Sequence, residues 1–154
     1  MSSQTETLQL KVANLVQMLG YEASIQIDEM EIEGRNYFDI KIDVEEPGEL
    51  IGRHGSFIDA IATVIGMFVP RVEGQRYSVL VDVNGYRAER GKYLQDMAVK
   101  AMDDAVSTGE QVELQPMKPW ERRLVHMAAV GRTDIITESQ GEEPDRRIVI
   151  KPAA

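Results

Sequence analysis

The chain has 154 residues, 43% hydrophobic and 28% charged, an ordinary soluble composition with room for one domain or two small ones. It has no cysteine, which excludes disulfides and thiolate metal sites and suits a reducing compartment such as the cytoplasm. The net charge of −9 counts against a general polyanion binder, but it is unevenly spread: residues 1–84 carry 6 Lys+Arg against 14 Asp+Glu, residues 85–154 carry 11 against 12, and most of the acid lies between Glu22 and Glu49.

No stretch reaches the roughly 20 apolar residues that cross a bilayer, so no membrane insertion is expected. The most apolar run, Ala60 to Val69, keeps a helical period and reads as core. The opening residues MSSQTETLQLK lack a basic head followed by an apolar segment, so no secretory leader is expected.

In chain order, Thr5 to Leu19 predicts a helix, with Leu8, Leu10, Val12, Leu15, Val16 and Leu19 clustered near one face and Gly20 at its C-terminal cap. Glu22 to Ile32 and Tyr37 to Val44 predict two strands joined by the turn Glu33–Asn36, hence a hairpin. The second alternates most cleanly, Phe38, Ile40, Ile42 and Val44 against Tyr37, Asp39, Lys41 and Asp43. Pro47-Gly48 breaks the chain before a short helical turn, Glu49 to Ile51. Ser56 to Val69 predicts an amphipathic helix ended by Pro70, and Tyr77 to Val83 a third strand. Asn84-Gly85 is a turn and the expected domain boundary, giving domains 1–84 and 85–154.

Beyond it, Arg87 to Thr108 predicts a long helix with a stripe of Leu94, Met97, Ala98, Ala101, Met102 and Ala105. Gln111 to Gln115 reads as a short strand. Trp120 to Val130 reads as a helix with Pro119 and Glu121 favourable at its start. Two strands, Ile135 to Ser139 and Arg146 to Lys151, flank the acidic loop Gln140–Asp145. The order α-β-β-α-β then α-β-α-β-β predicts an α+β fold rather than a doubly wound parallel sheet.

Ile-Gly-Arg-His-Gly at residues 51–55 is the first stretch that carries chemistry. Between Gly52 and Gly55 no Cβ blocks the approach of a phosphate to peptide N–H groups, and the next helix adds its positive end. Arg53 and His54 sit in the gap. A GxxG between helical segments is how KH modules clamp nucleic-acid backbone. The plain alternative is a steric corner, which has no need of Arg-His at its tip. A phosphate-binding P-loop is disfavoured, because no Gly-Lys-Ser/Thr follows. Asp28, Asp39, Asp43 and Asp82 are expected on the strand face away from the apolar one, either repelling phosphate there or only solubilising the surface.

Arg122 and His126 are the second feature. At about 100° per residue, Trp120, Leu124, Met127 and Ala128 share one side and would be buried, so Arg122 and His126 would stack on the other, with Arg123 at the flank. That patch suits single-stranded nucleic acid; it reads equally well as a solvated polar pair, or a histidine tied to a local carbonyl. A hydrolase using His126 as general base lacks a nucleophile and an orienting carboxylate. With two histidines and no cysteine, a metal site would rest on carboxylates, and none is expected.

Gly52-Arg53-His54-Gly55, Asp82-Val83-Asn84-Gly85-Tyr86-Arg87, Glu113-Leu114-Gln115-Pro116-Met117 and Pro119-Trp120-Glu121-Arg122-Arg123-Leu124-Val125-His126, in that order and spacing, resemble the bacterial Jag (SpoIIIJ-associated) family. The resemblance runs from about Gln9 to Ile150. It implies a type II KH domain followed by a domain named for its Arg-x-x-x-His motif, in a cytoplasmic, non-enzymatic RNA-binding protein. On this reading Gly52, Arg53, His54 and Gly55 clamp backbone, and Ile51, Phe57 and Ile58 shape an apolar groove for bases. Arg122, Arg123 and His126 form a second contact, joined by Arg87 and Arg90. The expected partner is single-stranded RNA, with single-stranded DNA not distinguished; a second small KH protein or a homodimer is the other. The rival expectation is a protein–protein adaptor, since the family is linked to membrane-protein insertion and to cell-envelope and division control. No cofactor is expected.

Overall fold

The computed structural model describes residues 2–69, 71–72 and 74–153, with 71–72 as backbone alone. The chain divides into two compact units between Tyr86 and Arg87.

In the first unit, helix α1 (Ser3–Met18) starts earlier than its apolar period, because the Ser2 side chain accepts from the Thr5 amide as an N-cap. It closes at Gly20, φ 93°, whose amide donates to Gln17 O while Tyr21 N donates to Val16 O. Strands β1 (Ala23–Ile32) and β2 (Arg35–Val44) form the hairpin, paired from Ala23↔Val44 to Ile32↔Arg35. Its two-residue loop, Glu33-Gly34, has both φ positive, which matches the twist of the strands.

A parallel neighbour requires a crossover. Here it runs through α2 (Gly48–Ile51), a single 3-10 turn (Arg53–Gly55) and α3 (Ser56–Phe68). α3 ends at Phe68 with Val69 extended, and the expected stop at Pro70 lies outside the described residues. A small ribbon follows, β3 (Arg71–Val72) with β4 (Gln75–Arg76); strands of two residues leave no periodicity to read. Strand β5 (Ser78–Val83) then lies parallel to β2, giving the order β1-β2-β5.

Phe38, Ile40, Ile42 and Val44 of β2 and Val81 and Val83 of β5 form the buried sheet face. Against them pack Leu8, Val12 and Val16 of α1 and Ile58, Ile61 and Ile65 of α3. Burying each such side chain stabilises the unit by about 1.5–3 kcal/mol. The opposite face carries the acids: Asp28 pairs across from Asp39, Asp82 from Lys41, and Asp43 from Ser24. Asn84, φ 51°, follows β5; its side chain donates to Val44 O at 2.8 Å and accepts from Val44 N at 2.9 Å.

The second unit has helix α4 (Tyr86–Thr108, whose first residue belongs to the first unit), β6 (Val112–Glu113), α5 (Pro119–Ala128), β7 (Ile135–Gln140) and β8 (Arg147–Pro152). The sheet is antiparallel in the order β6-β8-β7. β6 is shorter than the expected Gln111–Gln115: Leu114 N still donates to Ile148 O, but Pro116 has no N–H to continue the ladder. Ala98, Met102 and Ala105 of α4 and Val125 of α5 cover Ile135, Ile148 and Ile150.

Candidate functional sites

The glycine corner of the first unit is open to solvent at its tip. Arg53 and His54 are exposed, Gly52 is half-buried and Gly55 buried. Gly52 has φ 71° and ψ −173°, and a Cβ there would lie 2.9 Å from both Cβ and N of Phe57. The position therefore takes glycine for backbone shape and for space alike. His54, at φ 52°, and Gly55, at φ 76°, are both left-handed, and together they turn the chain into α3. No side chain among the described residues caps α3. Among the described residues the Arg53 and His54 side chains have no hydrogen bond or ion pair.

The expected apolar groove needs correction. Ile58 is 2% exposed and belongs to the core, and half-buried Ile51 packs against that core. Phe57 alone of the three presents its side chain, at 39% exposure, because one step along a helix turns about 100° away from Ile58.

In the second unit α5 sits differently from its expected orientation. Glu121, Arg122 and Val125 are its buried residues, Trp120 and Leu124 are half-buried, and Met127 is 59% exposed. The buried stripe is displaced by about one residue, because polar side chains find partners inside. Glu121 Oε1 accepts from Arg90 Nε at 2.8 Å and Oε2 from the Lys118 amide at 2.9 Å. Arg122 Nη1 donates to Met117 O at 2.7 Å and Nη2 to Glu143 Oε1 at 2.6 Å. Apolar periodicity reads such residues as solvent-facing; their hydrogen bonds permit burial.

Two expected contacts, Arg90 and Arg122, are corrected accordingly. Arg90 is no free cation: it is held by Glu121 and its guanidinium lies 5.3 Å from the Tyr93 ring centre. Arg87 lies over the Trp120 ring at 5.8 Å. Arg122 does not stand beside His126 on a solvated face; it is buried. His126 is half-buried, with Nδ1 2.8 Å from Thr137 Oγ1. Arg123 is exposed and has no side-chain partner among the described residues.

These side chains nevertheless share one depression of about 360 Å³, with Arg122, Arg123 and His126 on one side, Ser139 and Arg146 across, and Pro119, Met127 and Val130 as apolar wall. Thr137 and Ser139 stand opposite Ile150 and Ile148, on the sheet face that meets the helices. Ser139 Oγ is buried without a hydrogen-bond partner, an unmet polar group of the kind a ligand satisfies. Arg146 is visible in sequence only as a nearby cation, and a lone serine in a strand gives no signal. The remaining basic side chains near in sequence are tied down: Arg132 to Asp103 and Asp134, Arg147 to Glu113, and Lys151 to Glu138. The hydrogen bond from Arg132 holds the Asp134 carboxyl below the ordinary carboxylate range, and that from Lys151 does the same for Glu138.

Among the described residues no group of three His, Cys, Asp or Glu side chains is placed to hold a metal ion, and no helix is long and apolar enough to cross a membrane.

Comparison with known proteins follows the same division. Residues 9–81 match the KhpA/KhpB KH domain family, and residues 92–152 match the R-three-H domain family, named for the Arg-x-x-x-His motif. The chain is 30% identical over 136 residues to the RNA-binding protein KhpB of Lactiplantibacillus plantarum, covering 88% of this chain and 41% of that protein. It is 28% identical over 151 residues to KhpB of Clostridium symbiosum, covering 94% and 66%. Against KhpB of Bacillus subtilis it is 32% identical over 108 residues, covering 69% and 52%. The chain thus spans between about two fifths and two thirds of the length of these relatives.

Proposed function

Because the chain belongs to the KhpB/Jag family, a KH domain followed by an R-three-H domain, we propose that it binds single-stranded RNA in the cytoplasm as a non-enzymatic, post-transcriptional regulator. The observation that carries this is the outward glycine corner, with Arg53 and His54 unpaired and the start of α3 uncapped by any side chain among the described residues. Gly52 and Gly55 let the backbone approach, Arg53 and His54 meet phosphate, and Phe57 offers a stacking face. The depression around Arg123, His126 and Arg146 is the second contact, with Arg122 at its base. Arg87, Arg90, Ile51 and Ile58 hold these surfaces in shape. Single-stranded DNA offers the same phosphates, so competition between the two polymers tests for 2′-hydroxyl contacts.

The test is fluorescence anisotropy with a single-stranded RNA pool. Arg53→Asp with His54→Asp leaves both glycines in place and puts carboxylates where phosphate is expected. Affinity should fall at least tenfold, about 1.4 kcal/mol. Affinity equal to the parent's contradicts the clamp.

One observation favours a second reading, an adaptor that pairs with another KH-type protein or a second copy. Leu10 and Met18 of α1 and Met67 of α3 are 68%, 85% and 76% exposed. Light scattering with and without ribonuclease separates the readings: assembly that survives ribonuclease supports the adaptor.

A further inference from the structure

We propose that Glu143 is an internal competitor for the phosphate taken by the second unit's depression, and so sets the affinity of that site; this rests on the RNA-binding reading above. The Glu143 carboxylate accepts from Arg122 Nη2 at 2.6 Å. It occupies the position in which a phosphate oxygen would meet the same guanidinium.

Three features make this contact exchangeable rather than a fixed brace. The Glu143 side chain is 52% exposed while that of Arg122 is 10% exposed, so the carboxylate swings into water at little cost and the guanidinium stays. Arg122 Nη1 is anchored on Met117 O at 2.7 Å, which keeps the guanidinium aimed after its partner leaves. The depression that Arg122 lines also holds the buried, unpartnered Ser139 hydroxyl together with Arg123, His126 and Arg146. Arg123, His126 and Arg146 are the donors for an incoming anion, Arg146 Nη1 already donating to Gly141 O at 2.8 Å. Of the three acids in the β7–β8 loop, Glu142, Glu143 and Asp145, Glu143 is the one bonded to the depression.

An anion entering here exchanges one carboxylate for one phosphate. Weak or solitary anions gain little from the exchange; a polynucleotide, which brings several phosphates at once, gains more.

The experiment uses the full chain and a labelled single-stranded RNA oligonucleotide, from about 50 to 200 mM salt. E143Q keeps the shape and removes the charge. It should bind about three- to tenfold tighter than the parent. Its slope of log affinity against log salt should be steeper by roughly 0.7, one more neutralised phosphate. If E143Q does not fold, E143D, which shortens the reach to Arg122, should show a smaller gain. A variant that melts lower and binds no tighter makes Glu143 a brace and overturns the proposal. R123A with H126A separates the two ideas. If that pair weakens binding while E143Q gains nothing, the site stands and the competitor falls. If the pair leaves affinity unchanged, the depression is no RNA site and both fall.

Discussion

Gly52 shows how much a single position can demand. Its φ of 71° and the 2.9 Å approach of a hypothetical Cβ to Phe57 are independent obstacles to any side chain. Gly52→Ala should therefore destabilise the first unit by about 1–3 kcal/mol, read as a lower urea midpoint. Gly34→Ala, at φ 76° but with nothing within 4 Å, should cost less. For this reason the binding test changes Arg53 and His54 and leaves the glycines alone. Glu29 offers a pH test at the same scale. Hydrogen bonds from the Ser2 and Thr5 hydroxyls hold its carboxyl below the ordinary value of 4.5. A depressed folded-state value means that the carboxylate's contribution is complete above about 4.5 and is lost as the pH falls through the lower folded value. Thr5→Val should move the Glu29 titration, followed by NMR, back toward 4.5. The glycine corner is legible in sequence because its GxxG stands in context, after Leu50-Ile51 and before an amphipathic helix and a strand. Ser139 is not, because an unpaired hydroxyl becomes visible only when the strand register places it under a helix.

At the scale of the element, α5 is the instructive case. Its existence and start are readable from Pro119 and Glu121, but its rotation is not. Apolar periodicity assumes that charged residues face water, and the Glu121–Arg90 pair breaks that assumption at 1% and 15% side-chain exposure. Either single change strands a buried charge, so Glu121→Leu or Arg90→Met should each lower stability by about 3–5 kcal/mol. The double change should cost clearly less than the sum of the two, which a thermodynamic cycle from urea unfolding measures. Costs that simply add would mean that the pair is uncoupled. The hairpin, by contrast, is legible except at its turn, where Arg35 and Asn36 belong to β2 rather than to the loop; strict alternation in β2 fixes which face is buried, and a one-residue slip would expose Phe38, Ile40 and Ile42. The β3–β4 ribbon and the shortened β6 escape the pattern because pairs of two residues contain no period.

At the scale of the whole molecule, the puzzle is an anionic chain, net −9, similar to relatives named RNA-binding proteins. Placement answers part of it. Asp28, Asp39, Asp43 and Asp82 share the sheet face turned away from the helices, while Arg53 and His54 stand exposed at the corner. In the second unit Arg90, Arg122, Arg132, Arg147 and Lys151 are each paired with a carboxylate, while Arg123, His126 and Arg146 line one depression. On the proposed function, two such contacts on one chain would gain from effective concentration, so each could be weak alone. The α+β architecture is readable from the element order; the distribution of paired and unpaired charge is not, because partners such as Arg132 and Asp103 are 29 residues apart.

The most direct measurement is the salt dependence of the intact chain's affinity for single-stranded RNA. Binding should be measurable at low ionic strength and fall linearly in log–log form. The slope should shrink by roughly 0.7 for each phosphate contact removed, in Arg53→Asp with His54→Asp and again in Arg123→Ala with His126→Ala. No retention of RNA at low ionic strength, or affinity and slope unchanged by both pairs, would contradict the account.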